Sequence, residues 1–263
     1  MDVVTVKEAD SPLLVSFPHS GTYVPGAIAQ HFTPTGKRLI DTDWHVPKLY
    51  DFLGELSVST VTANYSRYVI DVNRSPQGTA LYPGQSETEL CPTSTFGKQS
   101  IYLADKVPDF EEIVRRKHDY WQTYHDALAA QLTRIKKNHG YALLWDAHSI
   151  AAEVPRFFDG VLPDLNLGTA DGQSCDSRLS ADLFTVMRSS DYSAIHNGRF
   201  KGGYITRQHG TPNSGVHAVQ MEISQNTYLL TSSDYEYDSI KANQLSQLLK
   251  KMILVMLDHS LNH

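Results

Sequence analysis

Apolar and polar positions along this chain fall into two kinds of rhythm. Short, nearly continuous apolar runs occupy residues 13–17 (LLVSF), 58–63 (VSTVTA), 68–72 (YVIDV), 141–145 (YALLW) and 218–223 (AVQMEI). Rich in β-branched and aromatic residues, they predict strands, and their lack of alternation predicts strands covered on both faces. Between them the period lengthens. Phe110, Ile113, Val114, Lys117, Tyr120, Trp121, Tyr124, Leu128, Leu132 and Ile135 recur at three- and four-residue steps. That spacing predicts a helix over about 109–138, ended by Gly140. Further helices are expected at 176–189 and at 234–258, where Leu245, Leu248, Leu249, Ile253 and Leu257 form the inward stripe. A shorter helix is expected at 43–53, with Asp43 at its start.

Strands alternating with helices imply an α/β three-layer sandwich with a mostly parallel mixed sheet. Two polar, turn-rich stretches, 74–100 and 197–215, interrupt the pattern. Loops of that length in a compact domain are usually functional or disordered. No repeat or linker divides the chain, so one domain spanning 1–263 is expected.

Composition narrows the partners. A net charge of −6 and a pI near 6.0 argue against a surface that tracks nucleic-acid phosphates. Cys91 and Cys175, the two cysteines, are too few for a disulfide framework or a cysteine-built zinc site. The N-terminal MDVVTVKEAD is acidic and lacks the long apolar region of a signal peptide, and no apolar run reaches the roughly 18 residues of a membrane span. A cytoplasmic protein without membrane or nucleic-acid partners is the expectation, with its oligomeric state open.

In open α/β sheets, ligands bind beyond the carboxyl ends of the strands. The polar residues found there are His19 after the first strand, Asp71, Asn73 and Arg74 around YVIDV, Asp146 and His148 after YALLW, and Glu222 within AVQMEI. Two imidazoles and several carboxylates are the ligand types of a zinc site. Each has a plainer reading. A lone histidine at a strand end is ordinarily a core or turn residue, and Asp43 alone would cap its helix. Glu222 resists such a reading, since a carboxylate between Met221 and Ile223 is costly to bury without a partner. YSRYVIDVNRSP crowds Arg67, Asp71, Asn73 and Arg74 at one place. Guanidinium groups there suit an acidic small substrate, and an Arg67–Asp71 structural pair is the alternative. No GxSxG nucleophile elbow is present.

The segments FPHSGTYVP, DTDWHVPKLYDF, NYSRYVIDVNRSP, LLWDAHS and GGYITRQHGTPNSGVHAVQMEISQNTYL, in this order over about 13–230, resemble the N-formylglutamate amidohydrolase family. DVNR is also similar to the Asp-x-Asn-Arg motif of the aspartoacylase and succinylglutamate desuccinylase group. The resemblance implies a zinc carboxypeptidase-like (phosphorylase/hydrolase-like) fold. It also implies hydrolysis of N-formyl-L-glutamate to formate and L-glutamate, a step of histidine breakdown, by a metal-activated water. It makes His19 and His148 ligands of Zn2+, for which Mn2+ or Co2+ could substitute. An acidic residue near the next helix is the third ligand: Asp43 is preferred for its offset to Val46 and Leu49, with Asp41 or His45 as alternatives and Asp41 favoured for orienting a ligand imidazole. Glu222 becomes the general base, Arg67 the oxyanion stabiliser, and Asn73 with Arg74 the holder of the substrate α-carboxylate. For the second carboxylate the loop 198–210 offers Arg199, Lys201 and Arg207, of which Arg207 is preferred. Rival readings are a zinc amidohydrolase for another N-acyl amino acid and a non-catalytic sensor of acidic amino acids.

Overall fold

A computed structural model describes residues 1–80, 84–230 and 234–259. Among them seven strands form one sheet: β1 (Val4–Lys7), β2 (Leu13–Phe17), β3 (Ser59–Ala63), β4 (Ala142–Ile150), β5 (Leu165–Gly168), β6 (Ala194–His196) and β7 (Val216–Ser224). Their order is β1-β3-β2-β4-β7-β5-β6. The central strands β3, β2, β4 and β7 run parallel, while β1 joins β3 and β5 joins β7 antiparallel. Eight helices accompany them: α1 (Gly26–Ala29), α2 (Pro34–Lys37), α3 (Val46–Leu49), α4 (Phe110–Arg116), α5 (Thr123–His139), α6 (Ser177–Arg188), α7 (Tyr204–His209) and α8 (Ser239–Asp258).

Side chains of a strand point to opposite faces in turn, and this divides the core into two. Leu13, Val15, Phe17, Leu143, Trp145, Ala147, Val219, Met221 and Ile223 pack with Leu49 of α3, Leu179 and Leu183 of α6, and Leu245, Leu249 and Ile253 of α8. Residues of the other phase, Leu14, Ala142, Leu144 and Ala218, pack with Tyr124, Leu128, Leu132 and Ile135 of α5 and Ile205 of α7. Each fully buried aliphatic side chain contributes about 1.5–3 kcal/mol to this three-layer arrangement. No helix among the described residues is long and apolar enough to cross a membrane.

Several elements depart from the sequence expectations. β4 does not stop at Trp145 but carries Asp146 and His148 inside the strand, because β2 and β7 flank it. β1, β5 and β6, three or four residues each, were too short to register as runs. The segment expected at 43–53 is the short α3 followed by a 3-10 turn over Asp51–Leu56. Its N-cap is His45 rather than Asp43, in a left-handed conformation. α8 begins at Ser239, where Asp238 accepts from the N–H groups of Ile240 and Lys241. The loop 197–215 contains α7; of the loop 74–100, residues 81–83 lie outside the described ones. The long helix does end at Gly140, with φ 83°.

The clearest correction concerns 68–72, which is not a strand. Buried carbonyls must find donors, and here side chains supply them in place of a ladder. Tyr102 Oη donates to Tyr68 O at 3.2 Å, and Arg116 Nη1 to Val69 O at 3.1 Å. His125 Nε2 donates to Val72 O at 2.8 Å, and Trp121 Nε1 to Arg74 O at 3.1 Å. An apolar run cannot by itself distinguish a strand from a buried segment held in this way.

His125 also sets an acid limit on stability. Burial lowers its pKa, and that of the adjacent His209, to about 4. In the unfolded chain both titrate near 6.5, so below that value the unfolded state binds more protons and folding weakens as pH falls toward 4. These two imidazoles are expected to contribute a loss of stability of about 1–2 kcal/mol per pH unit between 6 and 4, read by denaturant unfolding. His125→Gln, which can still donate to Val72, should flatten that dependence; an unchanged slope would assign it to other groups.

Candidate functional site

Period-two alternation aims one set of side chains at the carboxyl edge of β2, β4 and β7. Ser16, Asp146 and Gln220 lie side by side across these strands, and His148 lies opposite Glu222. His19 follows β2, and Asp43 is tied back to it, its N–H donating to His19 O at 3.0 Å. All of these side chains are buried.

His19, Asp43 and His148 form a group whose ligand atoms lie within 4.8 Å of one another, and which could hold a metal ion. Nδ1 of each imidazole faces Asp43 Oδ2, at 3.8 Å from His19 and 3.0 Å from His148. Behind them, Nε2 of His19 meets Asp71 Oδ1 at 2.7 Å and Nε2 of His148 meets Asp146 Oδ2 at 2.9 Å. Carboxylates in that position fix the tautomer and leave Nδ1 free to bind a metal. Two imidazoles and a carboxylate suit zinc and its neighbours. Asp43 Oδ1, buried, accepts no hydrogen bond among the described residues. That oxygen lies 3.8 Å from Arg67 Nη1, while Oδ2 faces both imidazoles; a carboxylate with unused acceptor capacity beside two imidazoles fits a cation.

Electrostatics point the same way. Burial and the Arg67 charge push His19 below its ordinary value, favouring the neutral form that binds metals. Burial also opposes charge on His148, but Asp146 and Asp43 outweigh it and raise His148 well above the usual range. The cage thus calls for positive charge, as a proton or as a metal ion. Asp71 is buried too, yet His19 and Arg67 hold it well below the ordinary carboxylate range. Burial raises Glu222 to about 8, with His148 opposing and Asp43 adding to the shift. A cation lodged beside it would draw that value down.

A cleft with about 580 Å3 of empty space, its open mouth included, is lined by His19, His148, Glu222, Arg67, Asn73 and Arg74, with Arg199 at its rim. Phe96, Phe157 and Phe200 supply its apolar wall. Arg67 donates to Asp71 Oδ2 at 2.7 Å and to Asp41 O at 3.4 Å, and lies 4.8 Å over the Phe96 ring. It therefore makes the structural pair with Asp71 and faces the cleft as well. Asn73 is wedged between elements: its Oδ1 accepts from Ile205 N, and its Nδ2 lies 3.0 Å from His148 Nε2. Gly203 packs so closely on that amide that a Cβ there would overlap it.

Three expectations change. Asp41 does not orient an imidazole; its Oδ2 accepts from Tyr68 Oη at 2.7 Å and from Phe96 N at 2.9 Å. His45 turns away, its Nε2 3.0 Å from Tyr235 O. Arg207 is not among the residues that line the cleft, its Nε donating to Gly202 O at 2.9 Å, whereas Arg199 does line it. Gln220, which sequence reasoning missed, bridges Gly203 N at 2.6 Å and Glu222 Oε2 at 3.2 Å. Its signal was a second polar residue at an even offset from Glu222, between Val219 and Met221.

Residues 11–229 match the family model described as N-formylglutamate amidohydrolase. The chain is 43% identical to a Pseudomonas aeruginosa protein named N-formylglutamate deformylase, over 96% of this chain and 95% of that one. A Pseudomonas putida protein of the same name is 41% identical over 97% and 96%. The fold is that of a crystal structure titled N-formylglutamate amidohydrolase, from Ralstonia eutropha, with a TM-score of 0.79, 22% identity and coverage of 97% and 99%.

Proposed function

Because the chain belongs to the N-formylglutamate amidohydrolase family, we propose that it hydrolyses N-formyl-L-glutamate to formate and L-glutamate with a divalent metal held by His19, Asp43 and His148. One observation carries this reading: a cleft that joins a His–Asp–His group, a buried carboxylate and three guanidinium groups. A divalent ion bound there would supply a Lewis acid and make water a usable nucleophile near neutral pH; zinc is the ion the ligand set favours.

The remaining chemistry belongs to the chain's own residues. Glu222, opposite His148 on the neighbouring strand, takes a proton from the attacking water. It returns that proton to the amine nitrogen as the formyl C–N bond breaks. Gln220 holds one oxygen of Glu222 in place. Arg67, kept charged against burial by Asp71, Asp43 and Asp41, faces the negative charge that develops on the formyl oxygen. Arg74 and Asn73 hold the α-carboxylate, and Arg199 takes the second carboxylate in place of Arg207.

Formate release from N-formyl-L-glutamate, compared with acyl release from its N-acetyl and N-succinyl analogues, tests the reading. Faster turnover of either analogue would redirect it to another N-acyl amino acid. Arg74→Ala and Arg199→Ala are each expected to raise KM about 10- to 100-fold, as loss of a charge-assisted hydrogen bond requires, with kcat little changed. Arg207→Ala should leave KM within about twofold. A large KM effect at Arg207 and none at Arg199 would restore the sequence-based choice.

A further inference from the structure

We infer that Trp121 is a positioning residue, whose indole N–H holds the Arg74 carbonyl and so aims the Arg74 guanidinium at the substrate carboxylate. The inference rests on the proposed role of Arg74.

Arg74 lies where the chain has no strand neighbour to set its direction. Its main chain is fixed by two contacts, Arg74 N to Asp71 O at 3.2 Å and Trp121 Nε1 to Arg74 O at 3.1 Å. The guanidinium is then guided by Thr88 O at 3.2 Å, Thr88 Oγ1 at 3.3 Å and Asn73 O at 3.2 Å. These contacts are single and near the long end of hydrogen bonding, so a shift of the Arg74 carbonyl moves the group they guide.

The Trp121 donor is itself well fixed. Its ring is 6% exposed, stacks on His125 with centroids 3.8 Å apart, and meets Tyr204 at 5.6 Å. The helix is also built to aim it. Between α4 and α5 the chain forms a π-helical segment, Lys117–Gln122. In a regular α-helix Arg116 and Trp121, five residues apart, would point roughly 140° from one another. The wider π turn brings them to one side, where Arg116 serves Val69 O and Trp121 serves Arg74 O. π turns are uncommon and cluster at functional sites. Here the turn aligns the helix with the irregular segment that carries Asp71, Asn73 and Arg74.

Trp121→Phe keeps an aromatic ring and deletes the donor. KM for N-formyl-L-glutamate is expected to rise roughly five- to tenfold, the worth of one hydrogen bond to a buried carbonyl, with kcat within about twofold and metal content unchanged. An unchanged KM, or a parallel fall in kcat, overturns the inference. Arg74→Ala is measured alongside. If it leaves KM unchanged, or if the unsubstituted protein has no turnover, the underlying reading fails and the inference with it. If Arg74→Ala raises KM and Trp121→Phe does not, the role of Trp121 alone fails. Should the Phe variant not fold, the indole ¹H–¹⁵N resonance of Trp121, one of three tryptophans, is followed while L-glutamate is added. A shift in the unsubstituted protein that is lost in Arg74→Ala supports the inference. No shift at saturating L-glutamate overturns it.

Discussion

Replacing Glu222 with Gln is expected to lower kcat by about 10²–10⁴-fold, the usual contribution of a positioned general base, while metal content stays at the unsubstituted level. The substitution is nearly isosteric. It leaves the neighbouring strand pairing of β4 and β7 intact, and an amide oxygen can still accept from Gln220 Nε2, as Glu222 Oε2 does at 3.2 Å. What an amide cannot do is take a proton from water and return it to an amine. Folding should not suffer, because the carboxylate is buried in surroundings that already raise its pKa to about 8. A group whose charged form burial disfavours loses little when a neutral amide of the same shape replaces it. The measurement is therefore threefold: turnover, metal by elemental analysis, and the unfolding midpoint. Comparable turnover would remove Glu222 from the mechanism. A fall in metal content would make it a ligand instead.

If the proposed metal is held at His19, Asp43 and His148, its removal should cost as much activity, about 10²–10⁴-fold or more, and should also cost stability. Asp43, Asp71, Asp146 and Glu222 are buried around two imidazoles, and Asp43 Oδ1 has no hydrogen-bond donor among the described residues. Without a cation this arrangement relies on Arg67, 2.7 Å from Asp71 and 3.8 Å from Asp43, and on protonation of His148 to balance it. Chelation is expected to lower the melting temperature, and added Zn2+ to restore both melting temperature and turnover; Mn2+ and Co2+ tested in parallel rank the ions. A ligand that binds only the folded state stabilises it by mass action, so the restored midpoint should depend on ion concentration. His148→Ala should abolish that dependence together with metal retention. Full activity after exhaustive chelation, with no change in melting temperature, would end the metal reading.

The candidate site was partly visible along the chain because its members interrupt apolar runs. Glu222 stood between Met221 and Ile223, and His19 and His148 each closed a strand-like run. Their meeting was not visible, since it depends on β2, β4 and β7 lying side by side in one register. Asp43 could be favoured from its place before α3, but separating it from Asp41 required coordinates. Only these show that Asp41 is occupied by Tyr68 and Phe96.

What the sequence determined by itself is what depends on local periodicity. Unbroken apolar runs and a spacing of three to four fix which residues face the interior, so the strand and helix layers and the stripe of α8 followed from them, and Gly140 marked the stop of α5. The tertiary structure decided where unsatisfied groups find partners. YVIDV has the apolar content of a strand, yet its carbonyls are met by Tyr102, Arg116 and His125, with Trp121 serving the adjoining Arg74. Arg199 and Arg207 are equally charged in the same loop, but Arg199 lines the cleft while Arg207 donates to Gly202 O. Burial preference is a property of each residue and is written along the chain, whereas a hydrogen bond or an ion pair needs a second group whose approach is set by the packing of everything between.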